Sequence, residues 1–377
     1  MPQSNQLTSD QLRQRLRTGL VIPAHPLALT ADRKLDPQRQ RALSRYYLSA
    51  GAGGLAVAVH TTQFSIREPQ FNLLQPVLEL ACEVAGEFPQ RQPLMITGVC
   101  GETAQAVQEA ELAASLGYHA GLLSLAAWAN RADDELIEHA RCVSQSIPLV
   151  GFYLQPSVGG RRLSFDFWSR FCQIPEVVAV KVAPFNRYQT LDVVRAVQES
   201  GRAAEIALLT GNDDSIVVDL LSEYSFERGS DSRIGFCGGL LGHWACWTQA
   251  AVAWMERLKV ARESGYKNER LSELLTLANQ ITDMNAAIFD AANDYRGCIA
   301  GIHEVLRRQG LLLGTWCLDP HEQLSPGQAE EISRVCRSYP ELTDDDFIRD
   351  NLICGLASGC SGRGYESLKR RDHTDDS

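Results

Sequence analysis

Along most of the chain, short apolar runs of β character alternate with longer stretches in which apolar residues recur at helical spacing. The runs cover residues 19–23, 54–59, 93–99, 120–124, 148–154, 177–182, 205–210 and 233–237. Their starts fall roughly 27 to 39 residues apart, the repeat of a strand, a loop, a helix and a second loop. The apolar residues come in continuous runs rather than in alternation, which reads as strands buried on both faces of a parallel sheet. Helix signals fill the gaps. Asp36-Pro37 sets a cap before a first-turn proline, and the helix that follows runs to Gly51 and Gly53. Residues 103–116 stop at Gly117, Asp133 and Asp134 open a further helix, and Thr190 opens one that ends at Gly201.

Eight such units in series predict an α/β fold, a (β/α)₈ TIM barrel with a C-terminal helical extension. An open doubly wound sheet is the main competitor, and its Gly-x-Gly-x-x-Gly turn is missing after the first strand. The expected organisation is an N-terminal polar helix over 1–18, the barrel over 19–243, a helical region over 244–340 and a polar tail over 341–377. Within the helical region, helices are expected at 244–262, 271–292 and 294–309, as an appendage on the barrel. The tail is expected to be partly disordered, from about residue 366.

Composition narrows the class of function. The chain has 377 residues, 45% of them hydrophobic, and a net charge of −10. Its basic residues are dispersed, which argues against a nucleic-acid footprint. No stretch approaches the ~18 apolar residues of a membrane span, and residues 1–17 lack the apolar run of a signal peptide. Cytoplasmic residence is the resulting expectation. The eleven cysteines are scattered without a Cys-x-x-Cys pair, so neither a metal site nor a disulfide framework is expected.

One residue stands out against this background. The chain has five lysines, and Lys181 alone lies inside an apolar strand, in Val177-Val-Ala-Val-Lys181-Val-Ala. The C-terminal ends of barrel strands build active sites. Partial desolvation there favours the neutral amine, which is the form that attacks a ketone. The protonated imine that results is an electron sink for cleaving a C–C bond or removing an α-proton. A buried ion pair within the barrel is the alternative reading of Lys181.

The motifs around Lys181 resemble those of the dihydrodipicolinate synthase / N-acetylneuraminate lyase family of class I Schiff-base aldolases, over roughly residues 19–331. Val178-Ala-Val-Lys181 is similar to the strand that carries the imine lysine. Val150-Gly-Phe-Tyr153-Leu-Gln-Pro156 is similar to the preceding strand with its tyrosine and proline. His60-Thr61-Thr62 falls where the family has Gly-Thr-Thr, and Thr210-Gly211-Asn-Asp213-Asp214 is similar to the turn after the seventh strand. Gly235-Phe-Cys237-Gly238-Gly239 resembles the eighth strand, and the segment 318–325 falls where a late Pro-Leu-Ser stretch precedes a last helix.

The resemblance implies Lys181 as nucleophile and Tyr153 as the phenol that shuttles protons. It implies Thr61 and Thr62 as a carboxylate clamp, and the Cys237 carbonyl as a substrate contact. Gly211, Asp213 and Asp214 would meet substrate hydroxyls, with a capped turn as the alternative.

The pattern also breaks. Ser157-Val158-Gly159-Gly160 stands where the synthases carry an arginine, with Arg161 and Arg162 displaced. Leu125-Ala-Ala-Trp128 replaces a relay tyrosine, and Gln63-Phe64 replaces a glycine and an acid. His25 and His60 occur at strand ends where the family has none, and either is a candidate replacement acid/base because imidazole titrates near neutrality. The expected protein is a cofactor-free lyase or aldolase acting on pyruvate or a pyruvate-derived 2-keto acid, with keto-deoxy sugar acids among the candidates. A dehydratase or a synthase-like condensation using the same imine is an alternative, as is a catalytically silent barrel that binds a small acid. The expected partners are the small keto acid and further copies of the chain, as a dimer or tetramer.

Overall fold

The computed structural model describes residues 7–226, 233–267 and 270–356. Eight parallel strands form one sheet: β1 (Val21–Pro23), β2 (Gly54–Val57), β3 (Leu94–Val99), β4 (Ala120–Leu123), β5 (Leu149–Leu154), β6 (Val177–Ala183), β7 (Ala207–Thr210) and β8 (Gly238–Leu241). β1 pairs with β8, and β1 meets β2 through the Ala24–Ala56 bridge, which brings the sheet round into a barrel. An N-terminal helix, α1 (Ser9–Leu16), precedes β1. The barrel helices are α2 (Pro37–Ser49), α3 (Leu74–Ala85), α4 (Thr103–Ser115), α5 (Asp133–Ser144), α6 (Phe165–Phe171), α7 (Arg187–Glu199), α8 (Ile216–Leu221) and α9 (Thr248–Glu263). The extension continues with α10 (Leu271–Ile288), α11 (Cys298–Arg308), α12 (Gln328–Ser338) and α13 (Asp345–Leu356). The fold is a (β/α)₈ TIM barrel with C-terminal helices.

Strand alternation sorts the core into two layers. Ile22, Ala56, Ile96, Leu122, Val150, Phe152, Leu209 and Leu240 pack together inside the barrel. Val57, Val99, Leu123, Tyr153, Val182 and Leu208 join the helices in the outer layer. Leu12 and Leu16 of α1 belong to the inner cluster and close the N-terminal end of the barrel. Arg13, Arg15 and Arg17 of that helix donate to the carbonyls of Pro175, Arg91 with Gln92, and Ala203, in loops that lead into β6, β3 and β7. The polar N-terminal segment is thus a plug, not a free helix.

Two sequence expectations are corrected here. The eighth strand is Gly238–Leu241, not 233–237. A Cβ at Gly238 would come within 2.6 Å of the Leu20 carbonyl oxygen, and one at Gly239 within 2.8 Å of the Thr210 carbonyl oxygen. These two glycines are what let β8 squeeze between β7 and β1. Ile234 instead pairs antiparallel with Tyr224. The seventh helix starts at Arg187, capped by the Asn186 side chain, which accepts from the N–H groups of Tyr188 and Gln189. Thr190 lies inside it.

The helix expected to run through residue 292 breaks sooner. Asp290, Asp294 and Tyr295 have φ of 58°, 54° and 64°. Left-handed conformations at non-glycine residues cost about 1–3 kcal/mol each. The Asp290 carboxylate accepts from Asn293, from the Gly297 N–H at 3.0 Å and from the Ser325 hydroxyl at 2.5 Å, and so holds the turn. This segment does not sit on the side of the barrel. Asn285 of α10 donates to the Asp213 carbonyl and Thr282 to the Asp214 carbonyl, so α10 and the turn after it roof the C-terminal mouth.

Candidate active site

Strand register sets the site. Phe152 on β5, Lys181 on β6 and Leu209 on β7 are direct partners across the sheet, so all three side chains face the barrel interior at one level. Lys181 is 8% exposed, and its Nζ sits 4.5 Å from the centroid of the Phe152 ring. Above it lies a cavity of about 60 Å³. Strand ends and loops supply Val59, His60, Thr61, Gln155, Gly211 and Asp213, while the roof adds Phe289, Tyr295 and Cys298.

Gly211 makes room for Lys181. A Cβ there would lie 2.7 Å from Lys181 Cε and 2.8 Å from the Ala183 Cβ. Glycine is what lets the lysine stem run along β7. The turn that carries it is fixed from below. Buried Asp219 accepts from the Thr210 hydroxyl, the Asn212 amide and Arg187, and the Asn212 carbonyl oxygen accepts from the Phe185 N–H.

Asp213 follows at once in this turn. Its carboxylate accepts from the His243 N–H at 3.2 Å. Burial pushes the Lys181 amine down from its ordinary range, while the carboxylate of Asp213 pulls it partly back up. Burial pushes Asp213 up, opposed by the charge of Lys181. Both shifts run toward the uncharged forms, a neutral amine and a neutral acid. That is the combination carbinolamine chemistry uses. No cluster of three or more His, Cys, Asp or Glu side chains suited to a metal ion occurs among the described residues.

The expected site residues divide sharply. Lys181, Gly211, Asp213, His60 and Thr61 line the cavity. The His60 imidazole is pushed down to about 4 by burial and by the nearby lysine, so it stands there as a neutral ring. Tyr153 does not reach the cavity. One residue out of phase with Phe152, it points into the helix layer, 5.5 Å from Trp168, and its hydroxyl donates to the Leu163 carbonyl and accepts from the Leu163 N–H. The expected acid/base role of Tyr153 is corrected by that packing.

His25 is also turned outward. It is fully buried, its Nδ1 donates to the Pro26 carbonyl, its Nε2 accepts from Ser44, and its ring meets Tyr47 edge-on. The Thr62 hydroxyl donates to the His25 carbonyl at 2.6 Å and accepts from the Val59 N–H, which makes it a clamp on the β1 and β2 ends rather than a ligand. The Thr61 hydroxyl leans on the same carbonyl at 3.3 Å. Cys237 precedes β8 and its carbonyl lies beside Gly19, at the opposite end of the barrel from the cavity. Gly242, just after β8, lines the cavity instead. Asp214 is held by its carbonyl's bond to Thr282, and its carboxyl is pushed up by burial.

Sequence reasoning missed Phe152, Phe289, Tyr295 and Cys298. The Asp290-Ala-Ala-Asn293-Asp294 run, rich in residues that tolerate left-handed turns, was the available signal that the helix breaks there.

The model of the Dihydrodipicolinate synthetase family matches residues 18–236. The chain belongs to this family. Among curated relatives, the 4-hydroxy-tetrahydrodipicolinate synthase of Cyanothece sp. is 24% identical over 209 residues, covering 54% of this chain and 66% of the relative. That of Thiobacillus denitrificans is 27% identical over 209 residues, with the same 54% and 66%. The chain thus spans just under two thirds of the length of these dihydrodipicolinate synthetase family relatives. Solved structures share the fold over more of the chain. The dihydrodipicolinate synthase of Oceanobacillus iheyensis has a TM-score of 0.69 at 16% identity, covering 88% of this chain and 99% of that one. A prophage protein of the dihydrodipicolinic acid synthase family from E. coli K12, solved with pyruvate, has a TM-score of 0.69 at 16% identity over 86% and 99% of the two chains. Gly242, Phe289, Tyr295 and Cys298 lie beyond the segment matched by the family model.

Proposed function

We propose that this protein forms an imine between Lys181 and a small 2-keto acid, pyruvate or a short pyruvate-derived acid, and acts as a lyase or aldolase. The single observation that carries the reading is the Lys181 amine, driven toward neutrality by burial, facing a mouth cavity that also holds Asp213. The size of the cavity supports a short acid. A cavity of about 60 Å³ has room for a small acid. A keto-deoxy sugar acid would have to extend its tail toward the roof. The ketone carbon accepts the amine, and the acid's carboxylate rests at the His60–Thr62 turn (one helical turn whose first N–H groups lack intrahelical partners).

Within imine chemistry, C–C cleavage is favoured over condensation with a second, dicarboxylic substrate. No arginine lines the cavity among the described residues, and Arg161 is committed to the carbonyls of Trp128 and Arg131. A dehydratase would use the same imine. We further read the protein as cytoplasmic and as a homo-oligomer, a dimer or tetramer. No helix among the described residues is long and apolar enough to cross a membrane.

Borohydride reduction with a panel of 2-keto acids, followed by peptide mass spectrometry, tests the reading. The expected result is a stable adduct at Lys181 with pyruvate and none in Lys181→Met. A wild-type chain that binds a keto acid without ever forming an adduct is the silent barrel, and overturns the proposal.

A further inference from the structure

The imine reading needs a group that gives a proton to the departing hydroxyl of the carbinolamine, and Tyr153 is turned away from it. Of the ten tyrosines, six are spent elsewhere: Tyr46, Tyr47, Tyr118, Tyr153, Tyr266 and Tyr339 each donate to a carbonyl or carboxylate away from the cavity. Tyr224 meets Arg187, Tyr188 is 82% exposed on α7, and Tyr365 lies outside the described residues. Among the described tyrosines, Tyr295 is the one that lines the cavity.

Its placement is built, not incidental. The residue is held at φ 64° in the turn that Asp290 clamps through Asn293, Gly297 and Ser325. The ring stands edge-on to Phe185, with centroids 5.7 Å apart, and Phe185 shares the cavity wall with Lys181. Burial and the charges of Asp213, Asp214 and Cys298 push the phenol up, so it stays protonated at neutral pH and is available as an acid.

We propose that Tyr295 is the catalytic phenol of the Lys181 imine reaction, an inference that rests on the Lys181 reading. The phenol gives its proton to the carbinolamine hydroxyl, which leaves as water while the nitrogen lone pair forms the C=N bond. The products are the iminium, water and the phenolate. In the cleavage direction the phenolate takes the proton of the substrate's 4-hydroxyl. The C3–C4 bond then breaks, its electron pair enters the iminium to give the enamine, and the aldehyde departs. The phenol is restored.

The test is the rate of borohydride trapping with pyruvate in the full chain, comparing wild type, Tyr295→Phe and Tyr153→Phe. Tyr295→Phe keeps the ring against Phe185. Its maximal trapping rate is expected to fall about 10²- to 10³-fold, the range of a lost general acid. The pyruvate concentration at half-maximal rate, the final extent of adduct and the melting temperature are expected to hold. Tyr153→Phe is expected to trap at the wild-type rate. Equal rates in wild type and Tyr295→Phe overturn this proposal and leave Lys181 standing. A Tyr295→Phe that instead raises the half-maximal concentration at unchanged maximal rate makes the residue a binding contact and overturns it too. Wild type that never traps overturns both readings.

Discussion

Replacing Gly211 with alanine adds one methyl group at the point where β7 lets the Lys181 side chain pass. The new carbon would stand 2.7 Å from Lys181 Cε and 2.8 Å from Ala183 Cβ, where ordinary contacts fall at 3.4–4 Å. The overlaps are thus about 0.7 and 0.6 Å, enough to turn attraction into steep repulsion. Gly211 is not among the glycines of positive φ, so the alanine suffers no backbone strain and the effect is steric alone. Ala183 is anchored to β6 and cannot swing aside, whereas the lysine stem can. The displacement therefore falls mainly on the amine. Overpacking of this size costs about 1–3 kcal/mol of stability. Moving a reacting atom by ~1 Å costs on the order of 10²-fold in rate. Chemical denaturation and the pyruvate trapping rate, measured on the same preparation, should show a modest loss of stability beside a rate loss of about a hundredfold. Adding Ala183→Gly should return part of the rate by opening room on the other side. A Gly211→Ala protein that traps within about twofold of wild type would refute the claim that this glycine positions the lysine.

Other perturbations follow from the same geometry. Asp213→Asn removes the negative charge that pulls the Lys181 amine up, so the amine loses its proton more readily and the acid limb of the trapping rate should move to lower pH by about one unit or more; a limb that stays put, or moves up, contradicts the coupling. Tyr153→Phe strips the partner from both the N–H and the carbonyl of buried Leu163, and urea unfolding should report a loss of about 1–3 kcal/mol with trapping unaffected. His25 is held neutral, pushed from 6.5 down to about 4 by complete burial. Its contribution is complete above pH 6.5 and drains away as the pH falls toward 4, because the unfolded chain takes up the proton first; the integrated loss is about 3 kcal/mol. His25→Gln should therefore lose less stability than wild type between pH 7 and pH 4.5, and equal losses would remove His25 from the account.

The repeat of eight units was legible because each strand is apolar on both faces and each helix is bounded by caps or glycines. The sequence also singled out Lys181, since an ammonium buried in such a strand is costly unless it has a partner or a task. Finer placement failed where one residue decides the outcome. Side-chain direction alternates along a strand, so the register of β5 against β6 determines whether Phe152 or Tyr153 meets Lys181, and a register shift between Leu149 and Val150 feeds into that choice. No local pattern announces such a shift. β8 was placed too early because the apolar run that ends at Cys237 reads as a strand on its own, while Gly238 and Gly239 are the residues thin enough to fit beside Leu20 and Thr210. The roof was invisible for a different reason. Phe289, Tyr295 and Cys298 are distant in sequence from every strand, and only the docking of α10 onto the β7 turn through Asn285 and Thr282 brings them to the mouth.

That docking divides labour between two parts of the polypeptide. Lys181, the proposed nucleophile, stands on a closed sheet whose every strand is braced by two neighbours, a setting that tolerates little change. The groups facing it from above belong to a later segment, packed into the outer apolar layer by residues such as Leu277, Ile281 and Met284 and pinned at the mouth by Thr282 and Asn285. Substitutions at 289, 295 or 298 can alter what is admitted to the amine, and how it is handled, without touching any residue that keeps the barrel shut. On the proposed reading, selectivity is therefore free to drift while the amine stays fixed.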